Sequence, residues 1–203
     1  MELSESIFGR KFGISEADLQ NYLSVALGRG GDYADLYFEY LSTTSVGLDE
    51  SIVKTASQGV SLGVGVRVIA GERTGYAYSD DLSPEKIRKA AAVAACIAEG
   101  PAKVDKAGLT QGPRHDLYPV MPAPGETVLS ERVDLVARAD RAARSYDPRV
   151  FQVQASYAES VRQVMVATSE GLISFDRQPM SRMAVMVLAR DPQSKSEGAP
   201  QQA

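Results

Sequence analysis

Residues 59–83, GVSLGVGVRVIAGERTGYAYSDDLS, constrain the fold more than any other stretch of the chain. Val60, Leu62, Val64, Val66 and Val68 recur at period two, the pattern of a strand with one face in a core. The opposite face carries Ser61, Gly63, Gly65 and Arg67, so its middle lacks side chains and another group can approach the backbone closely. The pattern breaks at Ala70-Gly71-Glu72 and resumes with Thr74, Tyr76 and Tyr78, which predicts a hairpin. Ser83 then suits an N-cap and Pro84 the first helical position, where a missing N–H costs nothing.

The flanking segments extend this picture. Ser15 with Asp18 three positions on predicts a capping box, followed by a stripe of Leu19, Tyr22, Leu23, Ala26 and Leu27 that ends at Gly28, Gly30 and Gly31. From Tyr33 the period becomes two, with Ala34, Leu36, Phe38 and Tyr40 on one face and Asp35, Tyr37 and Glu39 on the other. A polar β stretch at 43–48, a turn at 49–51 and a short strand at 52–57 follow, giving about five strands with tight, antiparallel connections. A helix over 84–98 is expected to bury Ile87, Ala90, Ala91, Ala94, Ile97 and Ala98, its small side chains lying over Gly63 and Gly65.

Residues 101–129 carry Pro101, Pro113, Pro119, Pro122 and Pro124 without a sustained period and are expected to form a linker. A second unit then begins. Ser130 is expected to cap a helix to Tyr146 that turns Leu135, Val136, Ala139, Ala142, Ala143 and Tyr146 inward, with Asp134–Arg138 and Asp140–Arg144 pairs on its wet side. Four strands at 150–158, 161–168, 172–178 and 180–190 are expected, with turns at 159–160, 169–171 and 178–179. The chain is therefore expected to be α+β: antiparallel sheets with helices packed on one face, the helix-then-strands order occurring twice. The expected domains are 1–100 and 130–190, joined by the 101–129 linker, with a disordered polar tail at 191–203.

Composition excludes several classes. With 44% hydrophobic residues the 203-residue chain can bury a real core. A net charge of −4 without a basic stripe argues against nucleic acid as partner. No run approaches the roughly 20 apolar residues of a membrane span, no basic-apolar leader opens the chain, and a single cysteine fits a reducing compartment. The expected location is the cytoplasm.

The residues show no catalytic centre. His115 and Cys96 are alone of their kinds, too few for a nitrogen and sulfur zinc site within this chain. His115 reads as a surface residue in the linker, and Cys96 as a small core residue of the 84–98 helix. Arg67 anchors a carboxylate of the fold or a carboxylate of a ligand, and the internal ion pair is the preferred reading. Asp80 and Asp81 read as solvated residues before a helix N-terminus. Tyr76 and Tyr78 line a groove for an extended peptide or simply pack, packing being the more general use of strand tyrosines.

The runs LDESIVKTAS and GVGVRVIAGERTGYAYSDDLS, with the later LYP, ADRAARSYDPRV and VMVATSEGLISFDRQPMSRMAVMVLA, resemble the N-terminal half of the TldD/PmbA metallopeptidases, once labelled modulators of DNA gyrase. The likeness spans most of residues 30–190 and is nearer the TldD branch. It implies a zinc enzyme cleaving small or unfolded peptides, whose metal is held by a His-Glu-x-x-x-Asp-His helix and a cysteine in a C-terminal half. Those residues do not occur in this sequence. The resemblance therefore implies no catalytic residue, no metal ligand and no cofactor in this chain, which alone would be inactive. It further implies a substrate-channel wall, with Arg67, Gly71, Gly75, Tyr76, Ser79 and Asp80 as wall or support residues. The implied partners are the catalytic half, a homodimer or TldD/TldE-type heterodimer mate, and a peptide substrate. The alternatives are a stand-alone module that binds a peptide or partner without catalysis, or the corresponding half of the non-catalytic TldE (PmbA) partner.

Overall fold

The computed structural model describes residues 2–99, 107–112 and 128–190. Helices α1 (Ile7–Phe12) and α2 (Glu16–Leu27) precede strands β1 (Tyr33–Asp49), β2 (Ile52–Ala70) and β3 (Arg73–Ser79), and α3 (Pro84–Ala98) closes this run. A two-residue β4 (Thr110–Gln111), then α4 (Leu129–Tyr146), β5 (Val150–Thr168) and β6 (Leu172–Ala189) follow. The fold is α+β, and helices precede strands twice, as the sequence implies. One six-stranded sheet has the order β3-β2-β1-β5-β6-β4.

The strands are fewer and longer than the sequence suggested. Residues 33–49 form one strand and 52–70 another, joined by a two-residue turn in which Glu50 and Ser51 both take positive φ. That conformation matches the twist of a hairpin. Residues 150–168 and 172–189 are also single strands, so no turn falls at 159–160 or 178–179. Glu159 lies within β5 with its carboxylate partnered, and Pro179 lies within β6 past the short parallel pairing with β4.

The described chain divides into two compact units. The first comprises residues 2–42, 60–99, 107–112 and 161–179. Its core joins Leu19, Tyr22 and Leu23 of α2 and Ile87, Ala91 and Ala94 of α3 to β-strand residues Leu36, Phe38, Val64, Val66 and Val68. The Phe8 and Phe38 rings meet at 5.7 Å. Each such side chain contributes roughly 1.5–3 kcal/mol by leaving water. Ser15 and Asp18 form the expected capping box. Residues 1–14, which show little pattern, nevertheless supply buried Leu3, Phe8 and Ile14.

Three expectations for this unit are corrected. Val60 is exposed, because the helix-covered core reaches only as far along β2 as Leu62. Ile97 and Cys96 are exposed and Ala95 is buried, since the inward stripe of α3 runs 87, 90/91, 94/95, 98 at helical spacing. The alanine face of α3 meets Gly75 rather than Gly63 and Gly65. A Cβ added at Gly75 would run into the Ala94 carbonyl oxygen and come within 2.9 Å of the Ala98 nitrogen.

The second unit comprises residues 43–59, 128–160 and 180–190. Helix α4 packs Val136 against Val46, Leu48 and Ala155. Its inward face differs from the expected one: Arg132 and Asp140 are buried, whereas Tyr146 is 90% exposed. The helix starts at Leu129 with Val128 in the cap position, two residues before the expected Ser130 cap. Arg132 pairs with Glu159 of β5, both side chains 4% exposed, and Tyr157 Oη donates to Glu159 Oε2 at 3.0 Å. The Asp140–Arg144 pair forms at 3.0 Å, but on the inward side, with Ser51 Oγ donating to Asp140 Oδ2 at 2.7 Å. Residues 52–59 and 180–189, in β2 and β6, are exposed. His115, most of the 101–129 linker and the 191–203 tail lie outside the described residues.

Candidate functional site

The bare glycine face of β2 lies in an open groove of about 280 Å³ in the first unit. Antiparallel pairing sets its walls: Arg67 is opposite Tyr76, Gly65 opposite Tyr78 and Val64 opposite Ser79. Because strand side chains alternate, Tyr76 and Tyr78 share the face of Gly63 and Gly65, while Val64, Val66 and Val68 face the helices. On β1 the same alternation presents Tyr37 and Glu39 to the groove. Tyr37, Tyr76 and Tyr78 are 40%, 57% and 78% exposed.

At Gly65 the Tyr76 side chain approaches the backbone closely. An added Cβ would lie 2.6 Å from Tyr76 Oη and 3.2 Å from its ring, so the phenol lies over the floor where a side chain would stand. At Gly63 an added Cβ would meet the Ser79 carbonyl oxygen at 3.0 Å. Neighbouring charges frame the walls. Arg67 Nε donates to Asp35 Oδ2 at 2.9 Å and its Nη2 donates to the same oxygen, so the preferred internal ion pair is the one found. Those hydrogen bonds, then the Asp35 charge, raise the Arg67 pKa. Tyr37 Oη donates to Glu39 Oε2 at 2.7 Å, and Arg162 Nε lies 3.6 Å from that oxygen.

Burial, and next the hydrogen bond to Glu39, push the Tyr37 phenol up to about 12. Its protonated form is thus favoured by folding. The stability it contributes is intact below the ordinary value of 10 and is lost as pH rises through about 12. Tyrosinate absorbance titrated in the wild type and in Tyr37→Phe should place the missing step near pH 12. A Tyr37 step near 10 would contradict the hydrogen-bonded geometry.

Of the residues singled out from the sequence, Tyr76, Ser79 and Asp80 line the groove. Arg67 stands beside it, held by Asp35. Ser79 Oγ donates to the Asp81 carbonyl at 2.8 Å and accepts from the Asp81 N–H, and Asp81 Oδ1 accepts from the Ser83 N–H. That last bond holds the Asp81 carboxyl below its ordinary range, and the set locks the turn into α3. Ser83 itself makes no side-chain cap. Gly71 takes φ +59 in the hairpin turn, its N–H donating to Asp32 Oδ2 at 2.7 Å, and Gly75 lies on the helix side of β3. Sequence reading missed Tyr37 and Glu39. Their signal was present in the alternation of β1, whose polar face must adjoin the glycine face once β1 and β2 pair.

The groove offers aromatic faces, hydroxyl donors and two carboxylates. Among the described residues no group of three or more His, Cys, Asp or Glu is placed to hold a metal ion, and no helix is long and apolar enough to cross a membrane.

Comparison with known proteins adds sequence and fold relationships. Residues 34–98 match the model of "PmbA/TldA metallopeptidase domain 1" and residues 122–202 that of the "PmbA/TldA metallopeptidase central domain". The chain is 33% identical over 168 residues to the metalloprotease TldD homologue of Buchnera aphidicola subsp. Schizaphis graminum, covering 82% of this chain and 35% of that protein. To the TldD homologue of Haemophilus influenzae it is 29% identical over 192 residues, covering 92% and 39%. The chain thus spans well under half the length of these curated relatives. Its fold is like that of TldE from Thermococcus kodakarensis, with a TM-score of 0.68 at 19% identity over 87% of this chain and 40% of that one. It is also like that of a modulator of a DNA gyrase from Thermotoga maritima, with a TM-score of 0.69 at 19% identity over 88% and 40%. At such identity the likeness is one of fold.

Proposed function

The chain belongs to the PmbA/TldD metallopeptidase family, and from that premise we propose that it is the part of a TldD-like zinc metallopeptidase that does not hold the metal. The observation that carries this reading is the match, in order, to the family's first and central domain models. The segments 1–100 and 130–190, with the linker between them, are then successive stretches of such an enzyme's sequence, each contributing to both compact units. The glycine-floored groove forms a wall along which a small or unfolded peptide lies, with Tyr76, Ser79 and Asp80 at its surface and Arg67, Gly71 and Gly75 supporting the hairpin. Zinc and the catalytic groups belong to a C-terminal half, subunit contacts join it to a like or TldE-type mate, and the enzyme works in the cytoplasm.

A second reading, a peptide-holding module without catalysis, is supported by one observation: the groove is built wholly from this chain's own strands. One experiment separates the two. The 203-residue chain is assayed with zinc against an unfolded peptide, alone and fused ahead of the remaining portion of the Haemophilus influenzae relative. The metallopeptidase reading expects no cleavage alone and cleavage in the fusion. Tight zinc uptake with cleavage by the chain alone would overturn it, and an inactive fusion that folds and binds zinc would favour the module.

A further inference from the structure

We propose that the tyrosine groove of the first unit selects a lysine or arginine side chain of the peptide it holds. The proposal rests on the peptide-wall reading above and deepens it by naming the side chain. Charge is the first argument. The lining contributes two carboxylates, Glu39 and Asp80, and no lysine or arginine, so a cation is attracted and an acidic peptide repelled. Ring faces are the second. Three partly exposed tyrosines surround the same small volume, and a cation over a phenol face is stabilised by the ring quadrupole.

The floor supplies the third argument. The Tyr76 phenol lies over Gly65 and the Ser79 carbonyl oxygen stands beside Gly63, so the aliphatic stem of a long cationic residue lies against the Tyr76 ring with its head toward the carboxylates. An apolar side chain of equal length would instead strip water from Glu39 and the phenol hydroxyls without returning a charge. The fold already carries one instance of the chemistry, since the guanidinium of Arg162 approaches Glu39 Oε2 at 3.6 Å from the rim. Arg162 is half exposed, so such a pair is weak and can yield to an incoming cation.

The test uses the full 203-residue chain and dye-labelled, end-capped heptapeptides identical except for a central Lys, norleucine or Glu, read by fluorescence anisotropy. The Lys peptide is expected to bind about tenfold tighter than the norleucine peptide, a gap of the size that one cation–π contact and one exposed ion pair supply together. The Glu peptide should bind more weakly than either. Glu39→Gln with Asp80→Asn should shrink the Lys preference to about twofold or less, and Tyr76→Ala should weaken the Lys peptide about fivefold. Circular dichroism checks that each variant stays folded; these side chains are surface ones. Equal binding of Lys and norleucine peptides overturns the selection and leaves the peptide wall standing. Binding of no peptide overturns both. A Lys preference that survives the Gln/Asn double change, with the fold intact, places the cation elsewhere and overturns the site.

Discussion

Replacing Gly75 by alanine should cost about 3 kcal/mol of stability. The new methyl would be driven into the Ala94 carbonyl oxygen and toward the Ala98 nitrogen. Both are backbone atoms of α3, so no side chain can rotate away. The helix must lift as a body, and its contacts through Ala90, Ala91 and Ala94 with the sheet core are loosened together. The contrast within the same hairpin makes the test specific. At Gly65 an added methyl meets the end of the Tyr76 side chain, which can swing out, so Gly65→Ala should cost under about 1 kcal/mol while disturbing the groove. Urea denaturation of both variants checks this, and a Gly75→Ala protein within about 0.5 kcal/mol of wild type would mean that α3 does not sit against β3 as described.

The second large effect is expected in the other unit. Arg132→Ala should destabilise by about 3–5 kcal/mol, because it strands the Glu159 carboxylate beneath α4 with the Tyr157 hydroxyl as its remaining described partner. Converting both members, Arg132→Met with Glu159→Leu, should recover most of that loss, since desolvating the pair costs about as much as its attraction returns. The same denaturation experiment decides it. A single change costing less than about 1 kcal/mol would show that water reaches the pair.

Which parts of this fold could be read in advance follows from which forces were local. The capping box at Ser15 and the alternation through Leu36 and Phe38 depend on neighbours a few residues away, and both are found in place. So does the pairing of 64–70 with 73–79. Strand lengths did not yield, because 43–48 reads as a separate polar β stretch and Glu159-Ser160 as a turn until their partners are known. Glu159, buried within β5, has its carboxylate met by Arg132, which lies 27 residues away. The same long-range satisfaction misdirected the reading of α4, where apolar Tyr146 points out and charged Arg132 and Asp140 point in. Periodicity assigns faces by hydrophobicity and cannot foresee a buried pair. On α3 the stripe was nearly right but one step off at Cys96 and Ile97. Its glycine partner was misassigned because all three candidates lie in one hairpin and only pairing register decides which faces the helix. The groove was half legible: Gly63, Gly65, Tyr76 and Tyr78 announced it, while Tyr37 and Glu39 came from a strand whose adjacency the sequence did not specify.

The outer margins of the second unit carry a different consequence. The halves of β2 and β6 that lie there, with Ile52, Val53, Met183, Val185 and Val187 all exposed, border no further strand among the described residues. Such a border is a template on which any extended chain can template itself, and concentrated stocks of proteins with one tend toward fibrous deposits. Lys54 on one margin and Arg182 on the other act as gatekeepers, since a second copy of the same strand would bring like charge against them.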